Sequence, residues 1–229
     1  MAREDPFRVR HQSVPGLGES NREEAILNKS GAQVVTDLFT QWLLSGFCFH
    51  VQTGTEDAPI TTNGPLDDTK PVIIADNNSG VMVPLLFEVA LSAHGASTLI
   101  QAMLEQDMDK KRYSSGGQVF VPEQMNNAAT GASAANGTFY TIETGDIVAA
   151  AKSAVPASIE LARKSLSEDA IADPIGYQMG IQEVFSVRTR MPTVAATPSS
   201  LCAHFGSATA DVTGYGVLQF AQFASALAW

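Results

Sequence analysis

Charged residues are scarce in this sequence. Only 17% of its 229 residues are Asp, Glu, Lys or Arg, against about 25% in an average globular domain. Alanine, serine, threonine and glycine together occupy 85 positions. A soluble monomer needs charge over most of its surface, so the shortage predicts that other subunits cover part of this one. The net charge of −10 argues against direct nucleic-acid binding, which basic surfaces perform.

Long hydrophobic runs are also absent. No stretch approaches the roughly 18 apolar residues of a membrane-spanning helix, and residues 1–11 lack the apolar core of a signal peptide. We therefore expect synthesis in a reducing cytoplasm. The two cysteines, Cys48 and Cys202, lie in apolar, strand-like runs, which favours two buried free thiols. Sequence alone leaves a disulfide between them open.

Recognisable catalytic motifs are missing as well. There is no Gly-x-Ser-x-Gly, no His-x-x-x-His, no Cys-x-x-Cys, and no Lys-Ser/Thr after the glycine-rich residues 114–117. The sequence therefore predicts no enzyme activity, no catalytic or cofactor-binding residues and no metal site. One alternative stays open: Cys48–His50 and Cys202–His204 repeat a Cys-x-His spacing, which puts both side chains on one face of a strand. Pairing of those strands would assemble a Cys₂His₂ set, as in a cupin-like metal enzyme.

The remaining polar groups are typical of turns and exposed loops. His11 and His94 have no partner at a ligand spacing. The acidic pairs Asp67–Asp68 and Asp107–Asp109 lack the rest of a calcium loop and are interpreted as solvated turns. The basic run 110–112 is interpreted as a solubilising loop or an intersubunit salt-bridge site.

The chain divides into an arm and one domain. Residues 1–30 are polar and irregular, which is typical of an N-terminal arm, and residues 31–229 form the predicted domain. Alternating hydrophobicity predicts strands in the following segments: 47–51, 72–74, 81–94, 118–121, 138–143, 181–190, 201–206 and 217–223. Residues 97–105 are predicted to return beside 81–94 as a hairpin. Residues 146–154 have helical composition, whereas 34–43 and 158–166 fit either a helix or a strand.

About eight strands with long loops and at most short helices predict an all-β fold. The expected architecture is an antiparallel β-sandwich arranged as a single jelly roll. The last 39 residues hold one charged residue, Asp211, so this stretch is expected in the core or between subunits. Trp229 at its end is a candidate interface residue.

Three segments carry a resemblance to a known family. They are Leu43–Gly54, Val81–Val89 and Thr213–Phe223, which resemble strands of viral single jelly-roll capsid proteins, in particular those of tailless bacteriophages. The resemblance implies a coat subunit that assembles into an icosahedral capsid with copies of itself and with other capsid or vertex proteins. It also implies a virion location after assembly in the host cytoplasm, and no active-site residues. The alternative function is a carbohydrate- or ligand-binding β-sandwich module.

Overall fold

The computed structural model describes residues 38–62, 66–94, 99–126, 135–167, 183–188, 195–196, 198–207 and 212–223. The predicted arm and Trp229 lie outside the described residues, so those predictions stand as predictions. The division into an arm and a single domain is likewise untested.

Strands dominate the described part of the chain. One short helix, α1 (Leu38–Leu44), precedes them, and a 3₁₀ turn spans Ile142–Thr144. The strands in chain order are β1 (Cys48–Thr53), β2 (Ile60–Thr62), β3 (Ile73–Asn77), β4 (Val81–His94), β5 (Leu99–Asp107), β6 (Tyr113–Gly116), β7 (Gln118–Phe120), β8 (Glu123–Gln124), β9 (Gly137–Thr141), β10 (Ile147–Ala149), β11 (Ser158–Ser167), β12 (Glu183–Arg188), β13 (Ala195–Ala196), β14 (Ser199–Ser207) and β15 (Val212–Phe223).

Eight of these strands form a jelly roll. The first sheet has the order β12-β4-β15-β1 and the second the order β11-β5-β14-β3, and all of these pairs are antiparallel. When only these eight strands are numbered from 1 to 8 along the chain, the first sheet has the order 6-3-8-1 and the second the order 5-4-7-2. This is the strand order of a jelly roll, which contains two Greek keys. The predicted all-β sandwich is confirmed, and the segment 38–44 that fitted either state is helical.

The predicted hairpin between β4 and β5 is wrong. β5 lies in the second sheet, between β11 and β14, whereas β4 lies in the first. The chain therefore crosses from one sheet to the other after β4. Local alternation cannot report such a crossing, because a strand has the same period of two whichever sheet it joins.

The residues between β5 and β11 form an insertion, 108–157, that extends both sheets. β9 pairs with β3 and β7 pairs with β9 at one end of the second sheet, while β8 pairs with β1 in the first. β6 and β10 pair with each other as a separate ribbon. The predicted helix at 146–154 is wrong: Ile147 and Ala149 alternate inward along β10, and burial against the second sheet outweighs helical propensity.

The main core lies between the two sheets. Phe220 of β15 is fully buried at its center, with its ring 5.8 Å from that of Phe49 and 5.3 Å from that of Phe139 in the opposite sheet. Phe87 and Leu104 fill the same layer. The aromatic contacts join the two sheets directly, so the sandwich depends on them.

The alternation along β4 changes sides at Leu85. Val83 packs on the outer face of the first sheet, whereas Phe87 and Val89 face the core, although an uninterrupted alternation would place all three on one face. The pairing with β15 skips Leu85, because Gln219 opposes Leu86 and Phe220 opposes Pro84. One extra residue in one strand is a β-bulge, and it reverses the sides of all residues beyond it.

Both outer faces of the sandwich are covered. On the first sheet, Trp42, Leu43 and Phe47 from α1 and the residues after it pack on Val83 and Phe223. On the second sheet, the β6–β10 ribbon packs on Ile74 and Cys202. Gly117 connects this ribbon to β7 with φ 66°, and a side chain there would press on Ile147 and on the carbonyl of Thr141.

The core assignment predicts a large penalty for removing the Phe220 ring. Phe220→Ala leaves a cavity between the sheets and should lower the free energy of unfolding by about 3–5 kcal/mol. Val148→Ala, at a half-exposed site, should change it by less than about 0.5 kcal/mol. Urea denaturation followed by circular dichroism measures both, and equal effects of the two substitutions would contradict the assignment.

Candidate functional site

The two Cys-x-His pairs lie on opposite sides of the sandwich. Cys48 and His50 occupy the outer face of the first sheet, whereas Cys202 and His204 occupy the outer face of the second. Packed sheets are about 10 Å apart, and these side chains point away from the interface between them. The Cys₂His₂ set is therefore not formed, and no disulfide joins the two buried free thiols.

The second of these pairs belongs to a buried polar cluster on the second sheet. Glu105 of β5 stands opposite Cys202 in the strand register, and its Oε1 lies 3.1 Å from Nε2 of His204. Ligand atoms of Glu105, Cys202 and His204 lie within 4.8 Å of one another. The spacing of Cys202 and His204 indicated two of these residues, but no local pattern indicated Glu105.

Arg112 completes the cluster. Its side chain is fully buried, and Nη1 lies 2.5 Å from Oε1 of Glu105. Nε donates to the carbonyl of Ala150 at 3.1 Å, and Nη2 donates to that of Asp68 at 2.5 Å. The interpretation of 110–112 as an exposed basic loop is therefore wrong for Arg112, because a buried carboxylate and two carbonyls bind its guanidinium.

The backbone of Arg112 is held as firmly as its side chain. Its N–H donates to Oγ of Ser200 at 2.7 Å and to Oδ1 of Asp76 at 3.2 Å, and Ser200 also donates to Asp76. Asp76 is buried beside the cluster, and this burial raises the pKa of its carboxyl, although these hydrogen bonds oppose the change. Arg112, near the start of the insertion, is therefore held in place by hydrogen bonds to β3 and β14.

Electrostatics keep Glu105 ionised. Burial alone would raise its pKa, but the hydrogen bond and charge of His204, followed by those of Arg112, lower the pKa to about 2. Burial raises the pKa of the Cys202 thiol far above its usual range, so its sulfur stays protonated. The cluster therefore holds one carboxylate, one guanidinium and a neutral thiol.

These groups form an internal ion pair more readily than a metal site. A metal ion bound here would have to displace the guanidinium of Arg112 from Glu105 and release the proton of the Cys202 thiol. A cation bound there would also face the fixed charge of Arg112. His204 Nδ1 is buried without a hydrogen-bond partner among the described residues.

The acidic pairs act in turns, as predicted. Oδ1 of Asp67 accepts hydrogen bonds from the N–H and hydroxyl of Thr69, which lower its pKa. Oδ1 of Asp107 accepts from the N–H of Asp109, and Oδ2 accepts from the N–H of Ser153. Asp107 is nevertheless buried rather than solvated, because the chain before β11 lies across it.

An open groove of about 560 Å³ lies at one end of the sandwich. Its walls include Thr55, Ile60, Glu143 and Asp146, and none of its described lining residues is aromatic. The aromatic rings suited to sugar stacking contact other rings instead: Trp42 lies 5.1 Å from Phe223, and Tyr113 stacks on Tyr140. The groove therefore lacks the stacking surface that the carbohydrate-binding alternative requires.

Several large apolar side chains are exposed instead. They are Leu44 (62%), Val119 (60%), Val121 (80%), Val148 (46%) and Val155 (84%). Four of these five residues belong to the insertion 108–157.

Within the described ranges, α1 is too short to cross a membrane and no other helix qualifies.

Comparison with known proteins finds similar solved structures but no family. No family model matches the sequence, and no curated protein matches it. Among solved structures, the chain is similar to the infectious bursal disease virus VP2 subviral particle, with 13% identity and a TM-score of 0.18. The match covers 77% of this chain and 41% of that one, so this chain spans less than half of that protein's length. This likeness carries no argument about function.

Because the Arg112–Glu105 pair is buried, we predict that loss of Arg112 destabilises the fold more than loss of a lysine from an exposed ion pair. Arg112→Met removes the guanidinium from the buried Glu105 carboxylate, which keeps its contact with His204, and should lower the free energy of unfolding by about 3–5 kcal/mol. Lys152→Met breaks the exposed Lys152–Asp68 pair, whose atoms are 3.2 Å apart, and should cost less than about 1 kcal/mol. Urea denaturation of both variants measures the difference, and similar values would show that Arg112 is not buried as described.

The lowered pKa of Glu105 predicts a pH dependence of stability. The folded protein holds this carboxylate ionised down to about pH 2, whereas in the unfolded chain it takes up a proton near pH 4.3. Its contribution is therefore complete above that value and is lost as the pH falls toward 2. The difference in unfolding free energy between wild type and Glu105→Gln should shrink over this range. A difference that is independent of pH would contradict the assigned ion pair.

Proposed function

We propose that the chain is a structural virion protein, a coat subunit that assembles with copies of itself into an icosahedral capsid. The observation that carries this proposal is the combination of a jelly-roll sandwich with an uncharged segment, 113–122, that exposes Val119 and Val121. A continuous exposed apolar patch on a folded domain marks a contact with another molecule.

The buried polar cluster fits a structural role. Its carboxylate and guanidinium bind each other, and Glu105, Arg112, Cys202 and His204 are all buried. A catalytic site needs reactive groups that a substrate can reach. We accordingly propose that the chain is not an enzyme and that its role is assembly.

The sequence resemblance supplies the finer part of the proposal. By that resemblance the virion is that of a tailless bacteriophage, assembled in the host cytoplasm, with other capsid or vertex proteins as additional partners. The acidic composition, with a net charge of −10, favours contacts with protein rather than with the genome.

Assembly of the purified full-length protein tests the proposal. We expect particles far larger than the 24.2 kDa monomer in sedimentation velocity and electron microscopy at some combination of salt, pH and protein concentration. A protein that stays monomeric throughout a broad screen, and that also binds sugars on a glycan array, would replace the coat function by the carbohydrate-binding alternative. A monomer without sugar binding would overturn both.

A further inference from the structure

β7 is an open edge of the second sheet. Its three residues pair with β9, with Val119 opposite Tyr140 and Phe120 opposite Phe139. No strand in the described ranges pairs with its other side. The backbone N–H and C=O groups on an open edge can pair with a strand from another molecule.

The side chains at this edge favour such pairing. Phe120 turns inward and packs on the core, whereas Val119 and Val121 are 60% and 80% exposed. The ten residues from Tyr113 to Pro122 contain no charged residue. Proteins protect open edges with charged residues, short strands or proline. β7 is short and lies close to Pro122, but it has no charged residue to keep another strand away.

Other sheet edges in the described part of the chain do carry charge. On β11, the half-exposed side chains of Glu160 and Arg163 lie 2.7 Å apart. On β8, Glu123 lies 3.3 Å from His50. If the uncharged β7 edge paired with β8 or β11, it would remove water from the charged side chains there without supplying groups of opposite charge. The described strands β6 and β10 are also uncharged, but their ribbon is already packed on the second sheet. An edge that matches β7 in both charge and accessibility is β7 of another copy.

We propose that two copies associate by antiparallel pairing of their β7 strands about a two-fold axis centered on Val119. An isologous contact of this kind needs only one self-complementary surface. The proposal rests on the proposed coat function, because an icosahedral shell contains two-fold axes.

The contact is small. Three residues in each strand bury much less than the roughly 800 Å² per partner of a stable protein complex. We therefore expect the paired edges to be weak in isolation and to be reinforced when the same subunits are held together by other contacts in a closed shell.

A charge placed on the edge should disrupt assembly. In the full-length protein, Val119→Lys combined with Val121→Lys should raise the concentration needed for assembly at least about tenfold, because the two copies would bring lysines together. Val155→Lys is the control, since Val155, at 84%, is more exposed than either valine of the edge but lies in the connection between β10 and β11. Circular dichroism and thermal melting establish that each variant is folded.

A cysteine placed at the axis tests the geometry directly. Opposed Cα atoms in antiparallel strands are about 4.5–5.5 Å apart, a distance that a disulfide spans. Val119→Cys should therefore give a covalent dimer under mild oxidation, seen on a non-reducing gel, while the buried Cys48 and Cys202 do not react. Val155→Cys should stay monomeric under the same conditions.

The two experiments separate this proposal from the coat function. Assembly of the wild type together with normal assembly of the lysine variant, or with no cross-link at Val119→Cys, overturns the β7 contact and leaves the coat function standing. Equal loss of assembly in Val155→Lys also overturns it. If the Val119→Cys variant forms a covalent dimer but the wild type never forms shells, the β7 contact is supported and the coat function is overturned.

Discussion

The buried pair of Arg112 and Glu105 fixes the position of the insertion on the jelly roll. One guanidinium reaches the carboxylate of β5, the carbonyl of Asp68 and the carbonyl of Ala150, so three separate parts of the chain meet on it. A planar group with five donors suits this arrangement better than the single ammonium of lysine. Desolvation offsets much of the attraction between the charges, so the main consequence is that the β6–β10 ribbon has one place to dock.

Sequence patterns predicted the parts of the fold that depend on local alternation. β4 was predicted with its observed bounds, and β1, β12 and β15 were predicted because each alternates its side chains between two faces, whereas the segment that forms β11 fitted either a helix or a strand. The errors lie where distant residues decide. Arg112 follows two lysines and looked exposed until Glu105 was placed beside it, and the bulge at Leu85 follows from pairing with β15. For the cluster, alternation put Cys202 and His204 on one face of β14. Glu105 joins them because β14 pairs with β5, which brings together residues that are 97 positions apart in the chain.

The shortage of charge has two separate origins. The described part of the uncharged C-terminal stretch forms β14 and β15, which lie in the middle of the two sheets and are buried along most of their length. Burial within the subunit accounts for that part without any neighbour. The uncharged residues 113–122 are different, because they lie at an edge and expose valines to solvent. The argument for assembly therefore rests on the insertion rather than on the C-terminal strands.

The two ends of the described chain lie together. α1 begins at Leu38 and β15 ends at Phe223, and the ring of Trp42 contacts that of Phe223 on the outer face of the first sheet. The first and last described segments of the chain therefore lie on one face of the domain. In an ordered array of copies, a domain fused directly before Leu38 and one fused directly after Phe223 would start from that same face, so the two positions are equivalent for displaying cargo.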